Sequence, residues 1–319
     1  MPEESNASPT SDGRGVAAYS MSNPPAQGIV GRRLVRRMIK PLLPVCYKVF
    51  PASKNIKRYV DTLGRFPNLL TPRTFNERIE RKILFDRNPM MAIFADKLRA
   101  REYVKSRLGD DQYLTKLYAA VASPANIGRL TLPQKFVMKP NHASGFVKIV
   151  GDSSKIQPGE LEGLAAEWLA VDYYKDVTQE WAYKNVRRRI MFEELLEVNG
   201  RVPDDFKFYC FSGEPRWFHV AHDRFGKLRV TSYDLNLSPL PVKIGEYENF
   251  TEKLEAPPNF DKMLEVARRL SSGIDFLRVD LYNISGRIVF GELTNYPSNG
   301  RTVYRPPEWD LKYGSYWKE

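Results

Sequence analysis

Two short strand-like runs, 276–282, in which apolar and polar residues alternate from Leu277 to Leu281, and 287–293, rich in apolar residues, are separated by Asn283-Ile284-Ser285-Gly286. A period of two is the signature of β-strands, and the short polar segment between the runs predicts an antiparallel hairpin. No other stretch constrains the fold as much. Side chains two apart on a strand share a face, so Arg278 and Asp280 project together and the return strand brings Glu292 beside them. Two carboxylates and a guanidinium thus converge. Such a set can hold Mg²⁺ against nucleotide phosphates while the arginine balances developing charge. The same trio would also serve as a ligand-free salt-bridge network, and the hairpin alone does not separate the two.

Two further polar clusters follow apolar strands. The first is Lys139-Pro140-Asn141-His142-Ala143-Ser144-Gly145, between a predicted strand at 136–138 and another at 146–150. A strand-end lysine before a small-residue loop places an ammonium and several backbone N–H groups around one point, which suits phosphate. Any hairpin loop favours such residues, however. The second is Glu193-Glu194 after Ile190-Met191-Phe192, with Asp205-Phe206-Lys207 on the next strand. Acidic residues there can hold a ribose while adjacent backbone reads adenine, and Lys207 can reach phosphate. A solvated charged edge is the competing explanation.

Around these clusters the chain reads as α+β. Residues 1–28 are rich in Ser, Pro, Asn and Gly and are expected to be a disordered tail. Residues 29–60 form a basic amphipathic segment. Between Gly31 and Tyr59 stand Arg32, Arg33, Arg36, Arg37, Lys40, Lys48, Lys54, Lys57 and Arg58 with no acid, which accounts for most of the net charge of +11. The segment either lies on an anionic membrane surface or docks on the body with its charges solvated. A helical subdomain is expected over 61–130, with Thr74 capping a helix through Glu77 and Asp96 opening another. Strand-rich subdomains follow over 131–195 and 196–319. No apolar run approaches the roughly 20 residues that span a bilayer, and no secretory h-region is present, so a cytoplasmic location is expected, at most peripheral to the inner membrane face. Cys46 and Cys210 support neither a disulfide framework nor a metal site. Nothing beyond net charge suggests nucleic acid.

Taken in order, Asp96-Lys97, Lys139-Pro140 with Ser144-Gly145, Glu193-Glu194, Arg278-Val279-Asp280 and Glu292 resemble the ATP-grasp superfamily. Within it, segments such as FNERIERKILFDRNP, LPQKFVMKPNHASG and FLRVDLYNISGRIVFGELT are most similar to the TupA-like family of teichuronopeptide and polysaccharide biosynthesis. The resemblance runs from about Phe75 onward. It implies two α+β subdomains clamping ATP, with a helical N-terminal part. It assigns Lys97 and Lys139 to the α- and β-phosphates, and the loop from His142 through Ser144 to Gly145 to the β/γ-phosphates. Glu193, Glu194 and the backbone near Leu195 would take adenine and ribose, and Lys207 would face the nucleotide. Asp280 and Glu292 would hold Mg²⁺, and Arg278 would stabilise an acyl phosphate or tetrahedral intermediate. Many ATP-grasp ligases carry an asparagine two residues after the last metal-binding glutamate. Thr294 occupies that position here, so Asn295, one residue later, is the nearest candidate for a third metal ligand. Strand alternation turns Asn295 to the opposite face unless the strand has already ended.

The activity implied is a Mg²⁺-ATP-dependent carboxylate–amine ligase acting on small-molecule or glycan-precursor substrates. The alternatives are a kinase for a sugar or small-molecule hydroxyl and a non-enzymatic protein of the membrane surface. The basic segment can be tested separately. Removing residues 1–40 is expected to spare ATP turnover and weaken cosedimentation with anionic liposomes at low salt. Full-length protein that ignores such liposomes would leave the docked arrangement.

Overall fold

The computed structural model describes residues 53–222, 228–250 and 253–317. The expected tail and most of the basic segment lie outside the described residues; the end of that segment opens helix α1 (Ser53–Leu63). Helix α2 (Phe75–Phe85) begins where the sequence predicts. The Thr74 side chain accepts the Glu77 N–H while Glu77 reaches back to the Thr74 N–H, so two orphan donors are satisfied reciprocally. Helix α3 (Pro89–Ala95), with proline in its first turn, runs almost directly into α4 (Lys97–Leu108). Asp96 ends the first helix and caps the second, and Gly109 in the left-handed region closes α4.

Strands β1 (Leu117–Val121), β2 (Phe136–Pro140), β3 (Lys148–Val150) and β4 (Ile190–Glu193) form an antiparallel sheet in the order β1-β4-β2-β3. Strand β1 falls in the stretch expected to be helical, and it joins this sheet through β4, about seventy residues later. Helix α5 (Glu160–Ala170) covers one face. There Phe136, Met138, Ile190 and Phe192 meet Leu161, Ala165 and Trp168.

The second sheet contains β5 (Asp205–Phe211), β6 (Glu214–His222), β7 (Arg229–Tyr233), β9 (Phe276–Ile284) and β10 (Arg287–Thr294), in the order β10-β9-β5-β6-β7. The short strand β8 (Lys243–Ile244) pairs with β11 (Tyr304–Arg305). One face of the five-stranded sheet presents Phe206, Phe208, Val279 and Leu281 to α6 (Phe260–Ser271) and α4. On the opposite face Tyr209, Phe211, Trp217 and Phe276 pack against α2 and the C-terminal helix α7 (Glu308–Gly314). Phe75 sits edge-on to Phe276 at 5.2 Å between ring centroids, and Trp217 stacks on Tyr313 at 3.9 Å. The C-terminal aromatics are therefore packing residues, each pair adding to the burial its rings already provide. Among the described residues no helix is long and apolar enough to cross a membrane.

Helix α7 reaches this cluster only because residue 314 lacks a side chain. A Cβ there would stand 2.2 Å from the Arg73 carbonyl oxygen and 2.7 Å from the Phe75 nitrogen, both backbone atoms that cannot swing aside. Gly314→Ala is expected to cost about 2 kcal/mol or more, read as a lower urea midpoint at unchanged slope. An unchanged midpoint would mean that α7 packs more loosely than this.

Candidate active site

The aromatic end of the five-stranded sheet gives way to a polar row on the same face. Backbone pairing sets Glu292 opposite Asp280, Asp280 opposite Lys207, and Lys207 opposite His219, in a line across β10, β9, β5 and β6. Arg278, two residues before Asp280, folds over onto it. Its Nε donates to Asp280 Oδ1 at 2.7 Å, and its Nη2 to Asp280 Oδ2 and Glu292 Oε1, each at 2.7 Å. Lys207 Nζ donates to Asp280 Oδ2 at 2.8 Å and also to Asp205. Glu292 joins the row because the β9–β10 ladder shifts register between Phe290 and Glu292. Gly291 makes that shift possible, since a Cβ there would lie 3.1 Å from both the Asp280 carbonyl oxygen and the Tyr282 ring.

The four-stranded sheet faces this row with the residues that alternate away from α5. Lys139 pairs with Glu193 across β2 and β4. The second Glu193 oxygen accepts from Thr115 Oγ1 at 3.0 Å and lies 3.8 Å from Arg101. Lys97, in the first turn of α4, donates to the Ala143 carbonyl at 2.5 Å. Glu194 accepts from the Lys116 N–H at 3.1 Å and from Arg287 of β10 at 3.0 Å. This last pair ties the segment between the sheets to the edge of the larger one. Among the residues lining the cleft so formed are Lys97, Lys139, Ser144, Gly145, Glu193, Glu194, Leu195, Asp280 and Glu292, alongside others such as Thr115, Asp205 and Tyr282.

The first nine of these are all expected from the sequence, and they come from six separate stretches of chain. Arg278 and Lys207 lie beneath the cleft, buried and bonded to its carboxylates. Two expectations require correction. His142 belongs to the loop, but its ring is buried with Nε2 3.2 Å from the Trp168 carbonyl, beneath the loop rather than over the cleft. Asn295 follows the end of β10 and turns away, its Nδ2 donating to the Met91 carbonyl at 2.9 Å. Its place beside Glu292 is taken by Thr294, whose hydroxyl donates to Glu292 Oε1 at 2.7 Å. Thr115, Arg101 and Arg287, which anchor the two glutamates, carry no sequence signal, because each becomes a partner only through the fold.

Charge in the cleft is set by these contacts. Burial alone would raise the Glu292 carboxyl, but Arg278, Lys97 and Lys207 outweigh it and bring it down to about 2. Glu292 is therefore a carboxylate. Burial, only partly offset by Glu292, lowers the Lys97 ammonium to about 8. Burial together with Arg188 and Lys97 lowers His142 to about 4, so its ring is neutral.

The residues fit a nucleotide-bound Mg²⁺. Among the described residues no three His, Cys, Asp or Glu side chains gather to hold a metal unaided. Mg²⁺ bound with ATP does not need such a cage, since it keeps waters and takes one or two carboxylates beside the phosphates. Asp280 and Glu292 meet that requirement.

The Lys97 shift has a measurable consequence. In the free protein its charge is lost as pH rises through about 8, whereas phosphate binding requires the charged form. Affinity for ATP is expected to fall several-fold between pH 7 and pH 9 in calorimetric titrations, and Lys97→Met is expected to flatten that dependence. An equal pH slope in the variant would assign the titration to another group.

No curated protein matches the chain in sequence. Among solved structures, the ATP-grasp ligase PsnB complexed with minimal precursor is 11% identical, with a TM-score of 0.41 over 72% of this chain and 62% of that one. D-alanine–D-alanine ligase from Bacillus anthracis, complexed with ATP, is 13% identical, with a TM-score of 0.37 over 65% and 55%. N5-carboxyaminoimidazole ribonucleotide synthetase from Thermus thermophilus is 14% identical, with a TM-score of 0.39 over 69% and 52%. The chain thus spans less than two thirds of the length of each. The TupA-like ATPgrasp family matches residues 77–318, three quarters of the sequence and every residue that lines the cleft. The chain belongs to the TupA-like ATPgrasp family.

Proposed function

We propose that this protein is a Mg²⁺-ATP-dependent ligase that joins a carboxylate to an amine through an acyl phosphate, in the building of a cell-surface polysaccharide or glycoconjugate. One observation carries the reading. Two lysines, Lys97 and Lys139, and two carboxyl groups, Asp280 and Glu292, line one cleft, and both carboxyl groups are held by a single buried arginine. That is the charge pattern a polyphosphate with a divalent cation requires.

In this reading the nucleotide lies between the sheets. Lys97 and Lys139 take its phosphates, the backbone of Ser144 and Gly145 closes over them, and Glu194 and Leu195 line the adenosine end. Glu193 holds Lys139 toward the cleft rather than touching ribose itself. Asp280 and Glu292 would hold a Mg²⁺ bound with the nucleotide, which would supply neutralisation of phosphate charge. A substrate carboxylate oxygen attacks the γ-phosphorus, and the bond to the β–γ bridging oxygen breaks to release ADP. The amine nitrogen then attacks the acyl carbon, the carbon–oxygen bond to phosphate breaks, and the nitrogen gives up a proton. Arg278 keeps Glu292 ionised, holds both metal-side carboxyl groups in place, and lends its charge to the anion that develops in each step.

The test is interception. With ATP, Mg²⁺ and a panel of amino acids and uronic acids, hydroxylamine is expected to capture the acyl phosphate as a hydroxamate. Glu292→Gln, nearly isosteric, is expected to keep the fold and slow hydroxamate formation by about 10²-fold or more. Label from the γ-phosphate found on the acceptor as a base-stable phosphoester would replace the ligase with a kinase. A Glu292→Gln variant with over half the activity would return the carboxylate pair to a structural salt-bridge network.

A further inference from the structure

Beside the cleft the fold builds a second concavity, of about 440 Å³, which the proposed reaction does not use. One wall is the junction of α3 and α4, with Ala92, Asp96 and Arg99; the other is the segment leading into β4, with Arg187 and Arg189; Asn141 lies between them. Three arginines face this space, and none has a hydrogen-bond or ion-pair partner for its side chain among the described residues. The intervening Arg188 is different: it reaches the Leu169 carbonyl at 3.0 Å and Asp172 at 3.3 Å. The lining contains one acidic residue, Asp96, and its Oδ1 is already taken by the Leu98 N–H at 3.0 Å and Asn141 Nδ2 at 2.7 Å. Like charges brought around a hollow repel one another unless an anion sits among them.

The backbone carrying these arginines is fixed. Asn141 Nδ2 donates to the Arg187 carbonyl at 3.0 Å, and Asn141 Oδ1 accepts the Arg189 N–H at 2.7 Å. The Asn141 N–H donates to the Arg189 carbonyl at 3.0 Å, and the Asn141 carbonyl accepts from the Lys97 N–H at 3.1 Å. One buried asparagine thus joins the phosphate-side loop, the start of α4 and the arginine segment. The two hollows are a residue apart, since Lys97 lines the cleft while Asp96 and Leu98 line the concavity. A ligand here would lie next to the phosphate end of the cleft, on charged groups whose backbone is already ordered.

We infer that this concavity docks a substrate segment bearing two or more carboxylate or phosphate groups, gripped by Arg99, Arg187 and Arg189. Anion binding there stands on the geometry alone; that the anion is a substrate rests on the ligase reading. A guanidinium pairs with either oxyanion through paired N–H donors, so the shared chemistry is a multiply charged oxyanion.

Calorimetry on the full chain separates the sources and the readings. The nucleotide cleft is first filled with Mg²⁺ and a non-hydrolysable ATP analogue. Trigalacturonate then probes for carboxylates and inorganic tripolyphosphate for phosphates. One of them is expected to bind with one-to-one stoichiometry. Arg99→Gln/Arg187→Gln/Arg189→Gln is expected to weaken it about 30-fold, at roughly threefold per exposed ionic contact, while the analogue's affinity stays within about twofold. The single Arg99→Gln variant, altered only on the exposed side of α4, is expected to shift the same titration about threefold. Failure of both probes to bind at millimolar concentration would overturn the inference. So would a triple variant of wild-type affinity, or one that loses the ATP analogue in parallel. Failure of wild-type protein to bind the analogue would instead refute the ATP reading, and the anion titrations would still decide the concavity.

Discussion

Arg278, clasped by Asp280 and Glu292 within the sheet face, is the interaction on which the site depends. Taking charges out of water is expensive, and a buried pair repays that cost only when geometry and supporting hydrogen bonds are good. Here the guanidinium makes three contacts of 2.7 Å, and Lys207 supplies a second cation from the neighbouring strand. Hydrophobic residues of similar volume would pack there at least as well. What they would not provide is a pair of carboxyl groups fixed by cations at the floor of a cleft, with Glu292 ionised, and that is what the cluster contributes.

Such a cluster is possible because the sheet divides its work by face and by end. One face of β5 and β9 is apolar from Phe206 to Cys210 and from Leu277 to Leu281 and packs on α4 and α6. The other is aromatic where α2 and α7 cover it and charged where the second sheet approaches. A strand has a period of two, so a slip of one residue would send Phe208 and Val279 into the cleft and Lys207 and Asp280 into the core. Burial on both faces makes that slip costly. The same rule in the smaller sheet sends Phe136, Met138 and Phe192 toward α5 and Lys139 and Glu193 toward the cleft. Two sheets of ordinary β-geometry thereby face each other, each with paired charges of both signs turned to the cleft.

Two contacts relate the local parts to the assembled site. Arg287 on Glu194 joins the rim of the larger sheet to the segment leaving the smaller one, so the spacing of the walls is held by a pair that is partly exposed and open to exchange with solvent. Asn141 acts in the opposite way. It is buried, its side-chain donors and acceptor are used, and it leaves the loop after it, from Ala143 to Gly145, to line the cleft. A firm base beside a looser rim suits the nucleotide-clamping role proposed for the cleft.

Much of this was legible in the sequence, because the signals are short-range. The capping box at Thr74 and Glu77, the hairpin at 276–294, and the strand-end positions of Lys139 and Glu193 each follow from residues within about a turn or a strand of one another. The order of those motifs was enough to indicate the family. The directions of His142 and Asn295 were not legible, since each turns on a distant carbonyl, Trp168 for one and Met91 for the other. Nor was the pairing of β1 with β4, the grip of Thr115 and Arg101 on Glu193, or the need for glycine at 314. Sequence by itself determined which side chains could carry charge at strand ends, because local periodicity and capping depend on neighbours along the chain. Only the tertiary structure decided which of them share a cleft and which are spent on packing, because that depends on contacts between segments far apart along the chain.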